Sequence, residues 1–251
     1  MKISIITITY NSENTVEDTI RSMLQQDFPN IEYIVVDGAS IDKTKEIINR
    51  YSANIDKFIS EKDKGLYDAL NKGIAMATGD VVGMIHSDDL YANPSVISKV
   101  AQTFAIDPDT EAVYADMVFV DRNDTAKILR TWKAGEYEED AFKKGWMPPH
   151  PTFFVRKSVY DKYGGFNLDL KLSADYELML RFIHKHKIKV TYLPETLVLM
   201  RMGGISNTSF FVKLKANMED KLAWRINDMK PGLLTTIRKP LKKLKQYFSK
   251  S

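Results

Sequence analysis

The sequence predicts an α/β fold, in which a mostly parallel central sheet is flanked by helices and followed by a helical C-terminal appendage. Short β-branched apolar runs alternate with segments of helical periodicity in the first third of the chain, and polar side chains follow each apolar run. The 251 residues are 44% hydrophobic and 27% charged, which suits one large globular domain with an appendage and excludes a disordered or collagenous chain.

The first elements repeat a strand–helix alternation. Apolar runs rich in β-branched residues predict strands at residues 3–10, 31–36, 57–60 and 81–85. Apolar residues that recur every three or four positions predict helices at residues 13–26, 43–51 and 66–76. This alternation is typical of a Rossmann-like sheet with helices on both faces, whose ligands bind beyond the carboxyl ends of the strands.

The order of elements is less regular after Tyr91, and we expect the sheet to become mixed there. The pattern predicts a helix at 94–104, strands at 112–120, 127–132, 189–193 and 197–200, and a turn-rich stretch at 145–151. A further helix is predicted at 173–186, with Ser173 as its cap and two carboxylates in its first turn.

The end of the chain is basic, although the net charge is only +3. From Lys230 onward there are seven basic residues and no acidic ones, which leaves 29 basic against 33 acidic side chains before it. We therefore predict a domain at 1–206 and a helical extension at 207–251. The stretch 233–248 is amphipathic and cationic, so it could lie on an anionic membrane surface, or it could pack on the body; we expect no binding to nucleic acid.

The composition also restricts the chemistry. The absence of cysteine excludes disulfides, thiolate zinc sites and cysteine nucleophiles. No apolar run approaches the roughly 20 residues of a membrane-spanning helix, and the first residues do not have the pattern of a signal peptide. We expect a cytoplasmic protein that is peripheral at the inner face of the cell membrane.

Polar residues stand at the carboxyl ends of the first four predicted strands. Tyr10 and Asn11 follow the first strand, Asp37 the second, Asp63 the third, and the pair at 88–89 the fourth. The carboxyl ends of parallel strands meet at one edge, so we expect a ligand there. The turn after the first strand has no glycine and there is no phosphate-binding loop, which disfavours dinucleotide enzymes and P-loop enzymes.

Eight short motifs carry a resemblance to a known family. They are SIITITYN at 4–11, VVDGASIDKT at 35–44, GLYDALNKG at 65–73, ATGD at 77–80, HSDDL at 86–90, PHPTFFVR at 149–156, YGGF at 163–166 and SADYE at 173–177. In this order they resemble the family 2 glycosyltransferases of the GT-A fold, over roughly residues 1–206. The segment 65–73 is most similar to bacterial members that build capsule, exopolysaccharide or O-antigen.

The resemblance implies a metal-dependent hexosyl- or hexosaminyltransferase. It would move a sugar from a nucleotide-diphosphate sugar, with uridine as the favoured base, to a saccharide or a polyprenyl-diphosphate-linked saccharide, with inversion. Asp89 would bind Mg²⁺ or Mn²⁺ at the diphosphate, and Asp88 would face the ribose; the alternative is that the pair caps the next helix.

The resemblance also assigns the remaining donor contacts. Asp37 would accept a hydrogen bond from uracil and Tyr10 would stack on it, with Thr9 and Asn11 beside them. A plain turn is the alternative at Asp37. Independently of the resemblance, Asp63 at a strand end and Lys72 on the following helix are candidate contacts for the nucleotide or the sugar, although a surface ion pair of Lys72 with Asp68, four residues before it, is an alternative.

Asp175 is the candidate general base that deprotonates the acceptor hydroxyl, as the resemblance implies. Glu177 is a competing candidate or an ordinary charge at the helix start. Trp146 and His150 are possible acceptor contacts, and Trp146 could instead belong to the core. The segment 203–206 resembles a family loop that closes on the donor, or it is a simple glycine turn.

Two other functional classes remain open. A non-catalytic nucleotide- or carbohydrate-binding scaffold of the same fold would have no chemical need for Asp37, Asp88, Asp89 and Asp175 together. A nucleotidyltransferase would use similar substrates and metals, but the glycine-rich basic loop that holds a triphosphate is missing.

Overall fold

The computed structural model describes residues 1–203 and 210–232. The amphipathic stretch predicted at 233–248, and all of the segment 203–206 except its first residue, lie outside the described residues.

Strands and helices alternate at first and then follow a less regular order. The strands are β1 Ile3–Thr9, β2 Ile31–Asp37, β3 Lys57–Ser60, β4 Val81–Met84, β5 Asp89–Tyr91, β6 Ala112–Val120, β7 Ile128–Trp132, β8 Phe154–Arg156 and β9 Val190–Arg201. The helices are α1 Val16–Leu24, α2 Thr44–Arg50, α3 Leu66–Met76, α4 Val96–Ile106, α5 Lys157–Tyr163, α6 Ala174–Met179 and α7 Phe210–Ile226. A π-helical turn, Leu180–Lys185, continues α6.

One mixed sheet organises the described chain. Its strand order is β3-β2-β1-β4-β8-β6-β9-β5, and β7 pairs with the far end of β6. The strands β3, β2, β1 and β4 are parallel to one another, whereas β8 runs antiparallel between β4 and β6. The predicted change from a parallel to a mixed sheet is confirmed.

Helices cover both faces of the sheet. Ile3 and Ile5 of β1 pack with buried residues of α1, α2 and α4 on one face. Ile6 and Ile8 pack with buried residues of α3, α5, α6 and α7 on the other. Alternate side chains of a strand point to opposite faces, so a continuous apolar run such as β1 is expected where both faces are buried.

The predicted bounds agree for β3, α3 and β6 and differ elsewhere for local reasons. The strands predicted at 189–193 and 197–200 form one strand, β9, because both parts pair with β6 across a register shift near Pro194. The helix predicted at 173–186 becomes π-helical after Met179. Sequence periodicity did not identify β5, β8 or α5, which have three, three and seven residues.

A buried carboxylate ties the strands together at the edge opposite the carboxyl ends. Glu32 begins β2, and its side chain accepts hydrogen bonds from Ser4 Oγ at 2.5 Å, Thr78 N at 2.8 Å and Thr78 Oγ1 at 2.6 Å. Lys57 Nζ lies 2.9 Å from Glu32 Oε1. Burial works to raise the pKa of Glu32, but the bonds from Ser4, Thr78 and Lys57 outweigh it and hold that pKa well below its usual range.

Within the described residues, no helix combines the length and the apolar character that crossing a bilayer requires.

Candidate active site

The first three strands end side by side and position the polar residues that follow them. Thr9 lies opposite Asp37 in the β1–β2 register, and Asp37 lies opposite Ser60 in the β2–β3 register. Asp37 is fully buried, and its carboxylate accepts hydrogen bonds from Ser40 N at 3.0 Å, from Ser40 Oγ and from Ser60 Oγ at 2.6 Å. A carboxylate has about four acceptor positions, so these bonds leave about one unused.

Tyr10, Gly38 and Asp63 form an open shelf at this edge. The Tyr10 side chain is 61% exposed, which leaves its ring available for stacking. A Cβ at Gly38 would lie 2.5 Å from Asp63 Oδ2, so the Asp63 carboxylate could not keep its position beside any larger residue, whereas the 3.4 Å distance to Tyr10 Cδ2 is ordinary contact. The shelf offers an aromatic face beside a hydrogen-bond acceptor, which suits a flat ring with donors on its edge.

The loop that follows β1 is fixed by hydrogen bonds to neighbouring loops. Asn11 has a left-handed φ of 48°, and its Oδ1 accepts a hydrogen bond from Ile41 N at 3.0 Å. Ser12 Oγ and Ser87 Oγ are 2.9 Å apart, so this loop reaches the loop that carries Asp88. Among the described residues, the buried Thr9 hydroxyl has no hydrogen-bond partner.

Lys72 lies in an acidic cluster on α3. Its Nζ is 2.8 Å from Glu61 Oε1 and 3.8 Å from Asp68 Oδ2. Its hydrogen bond with Glu61 raises the pKa of Lys72. The structure therefore contains the ion pair with Asp68 that the spacing allowed, but the closer partner is Glu61.

Asp88 and Asp89 lie at the turn between β4 and β5. Asp89 is 0% exposed, and neither of its carboxylate oxygens has a hydrogen-bond partner of normal geometry within the described residues, although the backbone amide of Arg201 lies close enough to interact. Burial and then the neighbouring Asp88 raise the pKa of Asp89 well above its usual range, against the opposing effect of Arg201. Since α4 begins only at Val96, neither aspartate caps it.

These two carboxylates fit a hard divalent cation such as Mg²⁺ or Mn²⁺. A buried carboxylate without a partner is costly, and a bound cation would remove that cost. In the part of the chain that the structure describes, no three carboxylate or imidazole groups form a cation cage. A cation here would complete its shell with substrate phosphate and water, as Mg²⁺ commonly does.

A series of aromatic rings connects this turn to Asp175. The ring centroids of His86 and His150 are 5.8 Å apart, those of His150 and Phe166 are 5.6 Å apart, and Phe166 stacks on Tyr67 at 5.4 Å. Tyr67 Oη then donates a hydrogen bond to Asp175 Oδ1 at 3.2 Å. His150, a predicted acceptor contact, therefore lies between the Asp88 turn and Asp175.

Both imidazoles of this series are neutral near pH 7. Burial and the neighbouring His150 lower the pKa of His86 to about 4, although Asp88 and Asp175 act in the opposite direction. Burial lowers the pKa of His150 to about 4.

Tyr67 was not among the predicted site residues. It lies on α3, 108 positions before Asp175, so local sequence patterns do not reveal the contact; its place in the GLYDALNKG motif is the one available signal. Burial and then Asp175 raise the pKa of Tyr67 far above its usual range, so its hydroxyl remains a hydrogen-bond donor at physiological pH.

Glu177 and Trp146 make contacts within the fold. The buried Glu177 carboxylate accepts hydrogen bonds from Arg181 Nε at 2.9 Å and from Asn227 Nδ2 at 2.8 Å. The half-buried Trp146 donates from Nε1 to Ala134 O at 2.8 Å and packs edge-on against neighbouring aromatic rings. Both side chains have partners in the protein itself.

Two solved glycosyltransferases resemble this structure. S. aureus TarS in complex with UDP-GlcNAc matches with a TM-score of 0.69 and 18% identity, over 100% of this chain and 74% of that chain. The mannosyltransferase PcManGT from Pyrobaculum calidifontis, in complex with GDP-Man and Mn²⁺, matches with a TM-score of 0.67 and 21% identity, over 98% of this chain and 69% of that chain. The predicted GT-A fold is confirmed.

Sequence comparison leads to the same family. An uncharacterized glycosyltransferase of Mycobacterium tuberculosis is 30% identical over 186 residues, which cover 71% of this chain and 68% of the relative. A PGL/p-HBAD biosynthesis glycosyltransferase of Mycobacterium bovis is 26% identical over 209 residues, with 82% and 79% covered. The model of the family described as Glycosyl transferase family 2 matches residues 4–164, more than half of the sequence, and the chain therefore belongs to this glycosyltransferase family.

Proposed function

We propose that this glycosyltransferase moves a sugar from a nucleoside-diphosphate sugar, with uridine as the base, to an acceptor hydroxyl with inversion. The observation that carries the proposal is the pairing of the shelf at Tyr10, Gly38 and Asp63 with the buried Asp89 carboxylate, which opens β5 soon after the parallel strand β4 ends. We assign the shelf to the base of the donor, and the Asp89 carboxylate to a cation that would balance the charge of the diphosphate. We assign this activity to residues 1–206 and treat 207–251 as an extension.

The donor contacts follow from the geometry of the shelf. The exposed face of Tyr10 stacks on the base, and Asp63 accepts a hydrogen bond at the ligand's edge. Asp37, with the hydrogen bonds from Ser40 and Ser60, supports the turn under the base and has an acceptor position left for it. TarS in complex with UDP-GlcNAc, which has the same fold, supports a uridine donor.

Asp89 and Asp88 would hold Mg²⁺ or Mn²⁺. When bound, the cation neutralises the negative charge that develops on the leaving diphosphate. PcManGT in complex with Mn²⁺ supports a cation in this fold, and the unpartnered oxygens of Asp89 support its place in this chain.

Asp175 serves as the general base. It removes the proton of the acceptor hydroxyl while that oxygen attacks the anomeric carbon, and the bond between this carbon and the diphosphate oxygen breaks. Attack from the face opposite the leaving group inverts the configuration. Tyr67 orients the Asp175 carboxylate through its hydrogen bond, and His150 forms part of the wall between Asp175 and the Asp88 turn.

The acceptor is a saccharide or a polyprenyl-diphosphate-linked saccharide used for bacterial surface polysaccharide. The relatives named for PGL/p-HBAD biosynthesis support a role in the biosynthesis of a glycosylated product. The cationic, amphipathic segment 233–248 supports association with an anionic membrane at its cytoplasmic face.

Calorimetric titration with UDP, GDP and dTDP, each with and without Mn²⁺, tests the donor site. We expect one nucleotide, UDP, to bind in a metal-dependent manner to the wild type and more weakly to Asp89→Asn, while the exposed Asp109→Asn serves as a control with unchanged binding. If none of the three nucleotides binds, the shelf is not a donor site.

Asp175→Asn separates a transferase from a non-catalytic scaffold. We expect this variant to bind UDP with wild-type affinity and to lose turnover of the UDP-sugar. Unchanged turnover would remove Asp175 from the mechanism.

A further inference from the structure

The helix α7 presents an apolar and cationic face to solvent. The exposed fractions of Met218, Leu222 and Ile226 are 65%, 42% and 38%, and their spacing of four residues aligns them along one side of the helix. The exposed Lys221 and Arg225 lie on the same side. Single exposed apolar residues are ordinary on protein surfaces, but three aligned ones with adjacent cations are typical of a binding face.

The opposite side of α7 holds the acidic residues of the helix. Glu219 and Asp220 are both buried, and Glu219 accepts hydrogen bonds from Leu172 N at 2.7 Å and Ser173 N at 3.1 Å. Trp224 and Asn227 are also buried on this inner side, where Trp224 Nε1 donates to Tyr176 Oη at 2.9 Å. The α7 face, defined as Met218, Lys221, Leu222, Arg225 and Ile226, therefore carries two cations and neither of the two acidic residues of α7; the exposed Asp228 follows the end of the helix.

We propose that the α7 face docks on an anionic lipid surface. Lipid headgroups of negative charge attract Lys221 and Arg225, while the three apolar side chains enter the boundary between headgroups and acyl chains. This is a different surface from the segment 233–248, although both would contact the same bilayer.

Charge disfavours the two other candidate occupants. The residues after Gly232 include six basic side chains and no acidic one, so they carry the same sign as the α7 face. A second copy of the chain, joined face to face by two-fold symmetry, would bring Lys221 and Arg225 against the same residues of its partner. An anionic bilayer is the occupant whose charge is opposite to that of the face.

The position of α7 relates this surface to the active site. Ser173 Oγ donates a hydrogen bond to Ala216 O at 3.2 Å, and Trp224 bonds to Tyr176, so α7 packs along α6 on both sides of Asp175. A bilayer on the α7 face would lie beside the helix that carries Asp175. The consequence, delivery of a lipid-linked acceptor to Asp175, rests on the proposed function; the docking itself does not.

Vesicle sedimentation of the full chain tests the docking without a sugar donor. The vesicles contain phosphatidylcholine alone or with about 30% phosphatidylglycerol, which supplies the negative surface. Met218→Gln, Leu222→Gln and Ile226→Gln are combined in an apolar variant, and Lys221→Gln and Arg225→Gln in a charge variant. Ile106→Gln, which changes a side chain 76% exposed at the end of α4, is the matched control.

We expect the wild type to bind the anionic vesicles and to bind phosphatidylcholine alone at least about tenfold more weakly. The apolar variant and the charge variant should each bind anionic vesicles at least about tenfold more weakly than the wild type, and Ile106→Gln should match the wild type. Unchanged circular dichroism spectra and melting temperatures would show that the variants fold.

Three results would overturn the proposal. The first is a wild type that does not bind anionic vesicles. The second is binding that only Lys242→Gln, Lys243→Gln and Lys245→Gln reduce, which would assign it to the C-terminal extension. The third is a wild-type dimer that the apolar variant converts to a monomer, which would assign the face to a second copy. Metal-dependent UDP binding is measured on the same samples, so a failure of the donor site is distinguished from a failure of docking.

Discussion

Replacing Tyr67 by phenylalanine tests whether its hydroxyl orients Asp175. The substitution removes the hydrogen bond from Tyr67 Oη to Asp175 Oδ1 at 3.2 Å, together with the interaction of the same hydroxyl with the backbone amides of Ala174 and Asp175. It retains the ring that stacks on Phe166 at 5.4 Å with an interplanar angle of 24°, so the packing between α3 and the loop before α6 is preserved. The change is therefore confined to the environment of the carboxylate.

The size of the effect follows from the energy of this hydrogen bond. A hydrogen bond to a charged group contributes about 1.5–3 kcal/mol, and the length of this one places it at the lower end. A loss of about 1.4 kcal/mol in transition-state stabilisation lowers a rate about tenfold. We expect Tyr67→Phe to reduce kcat roughly tenfold to thirtyfold and to leave the KM for the donor nearly unchanged, because the shelf at Tyr10 is untouched.

Steady-state kinetics of UDP-sugar turnover measure this effect, with Tyr33→Phe as the control. The buried Tyr33 hydroxyl donates to Thr7 Oγ1 at 3.1 Å on the other face of the sheet, so its removal also deletes one buried hydrogen bond. Tyr33→Phe should lose stability without a comparable loss of kcat. The positioning role of Tyr67 would be refuted if Tyr67→Phe kept a kcat within twofold of the wild type while Asp175→Asn was inactive. If both tyrosine variants lost kcat equally, the effect would be assigned to stability.

Three other outcomes are expected. Glu32→Gln should destabilise the fold by about 2–4 kcal/mol at neutral pH, whereas the exposed Glu46→Gln should be nearly neutral in urea titrations. Because folding lowers the pKa of Glu32, the contribution of its carboxylate to stability is lost as the pH falls below about 5. The difference in unfolding free energy between the wild type and Glu32→Gln should therefore shrink in acid. A difference that stays constant with pH would contradict the stabilising role of the Glu32 carboxylate. Gly38→Ala places a Cβ 2.5 Å from Asp63 Oδ2, and calorimetry should show UDP binding weakened about tenfold; unchanged affinity would argue against the shelf. Mn²⁺ at about a hundredfold excess over its dissociation constant should stabilise the folded wild type by about 2.7 kcal/mol and should not stabilise Asp89→Asn. Thermal melts with and without EDTA measure this difference. Equal stabilisation of both proteins would place the cation elsewhere.

Elements with strong local signals could be predicted from the sequence. The helix α3 has regular apolar periodicity and a terminus marked by glycine, and β6 is an apolar run interrupted only by Asp116, so both were predicted with the observed bounds. Strands β5 and β8 have only three residues each and are defined by their partners β9, β4 and β6. Pairing between distant segments is not visible in local periodicity.

The same distinction applies to the site. Tyr10, Asp63, Asp88 and Asp89 follow strands, and parallel strands bring their carboxyl ends to one edge, so position along the chain was sufficient to select them. The contact of Tyr67 with Asp175 depends on how α3 packs against the chain near α6. It requires the tertiary structure, because no rule of spacing relates residues on different helices.

The pairing of β5 with β9 has a consequence for the order in which the protein can assemble. Asp89 opens β5, and its register partner in β9 is Met200. During synthesis, β1 to β4 are complete more than a hundred residues before β9 emerges. The strand β5, which begins at Asp89, therefore cannot pair with β9 until late in translation. Closing this long loop is a late and entropically costly step. A nascent or truncated chain that lacks β9 therefore lacks the strand pairing that fixes Asp89, and under the proposed function its donor site would be incomplete.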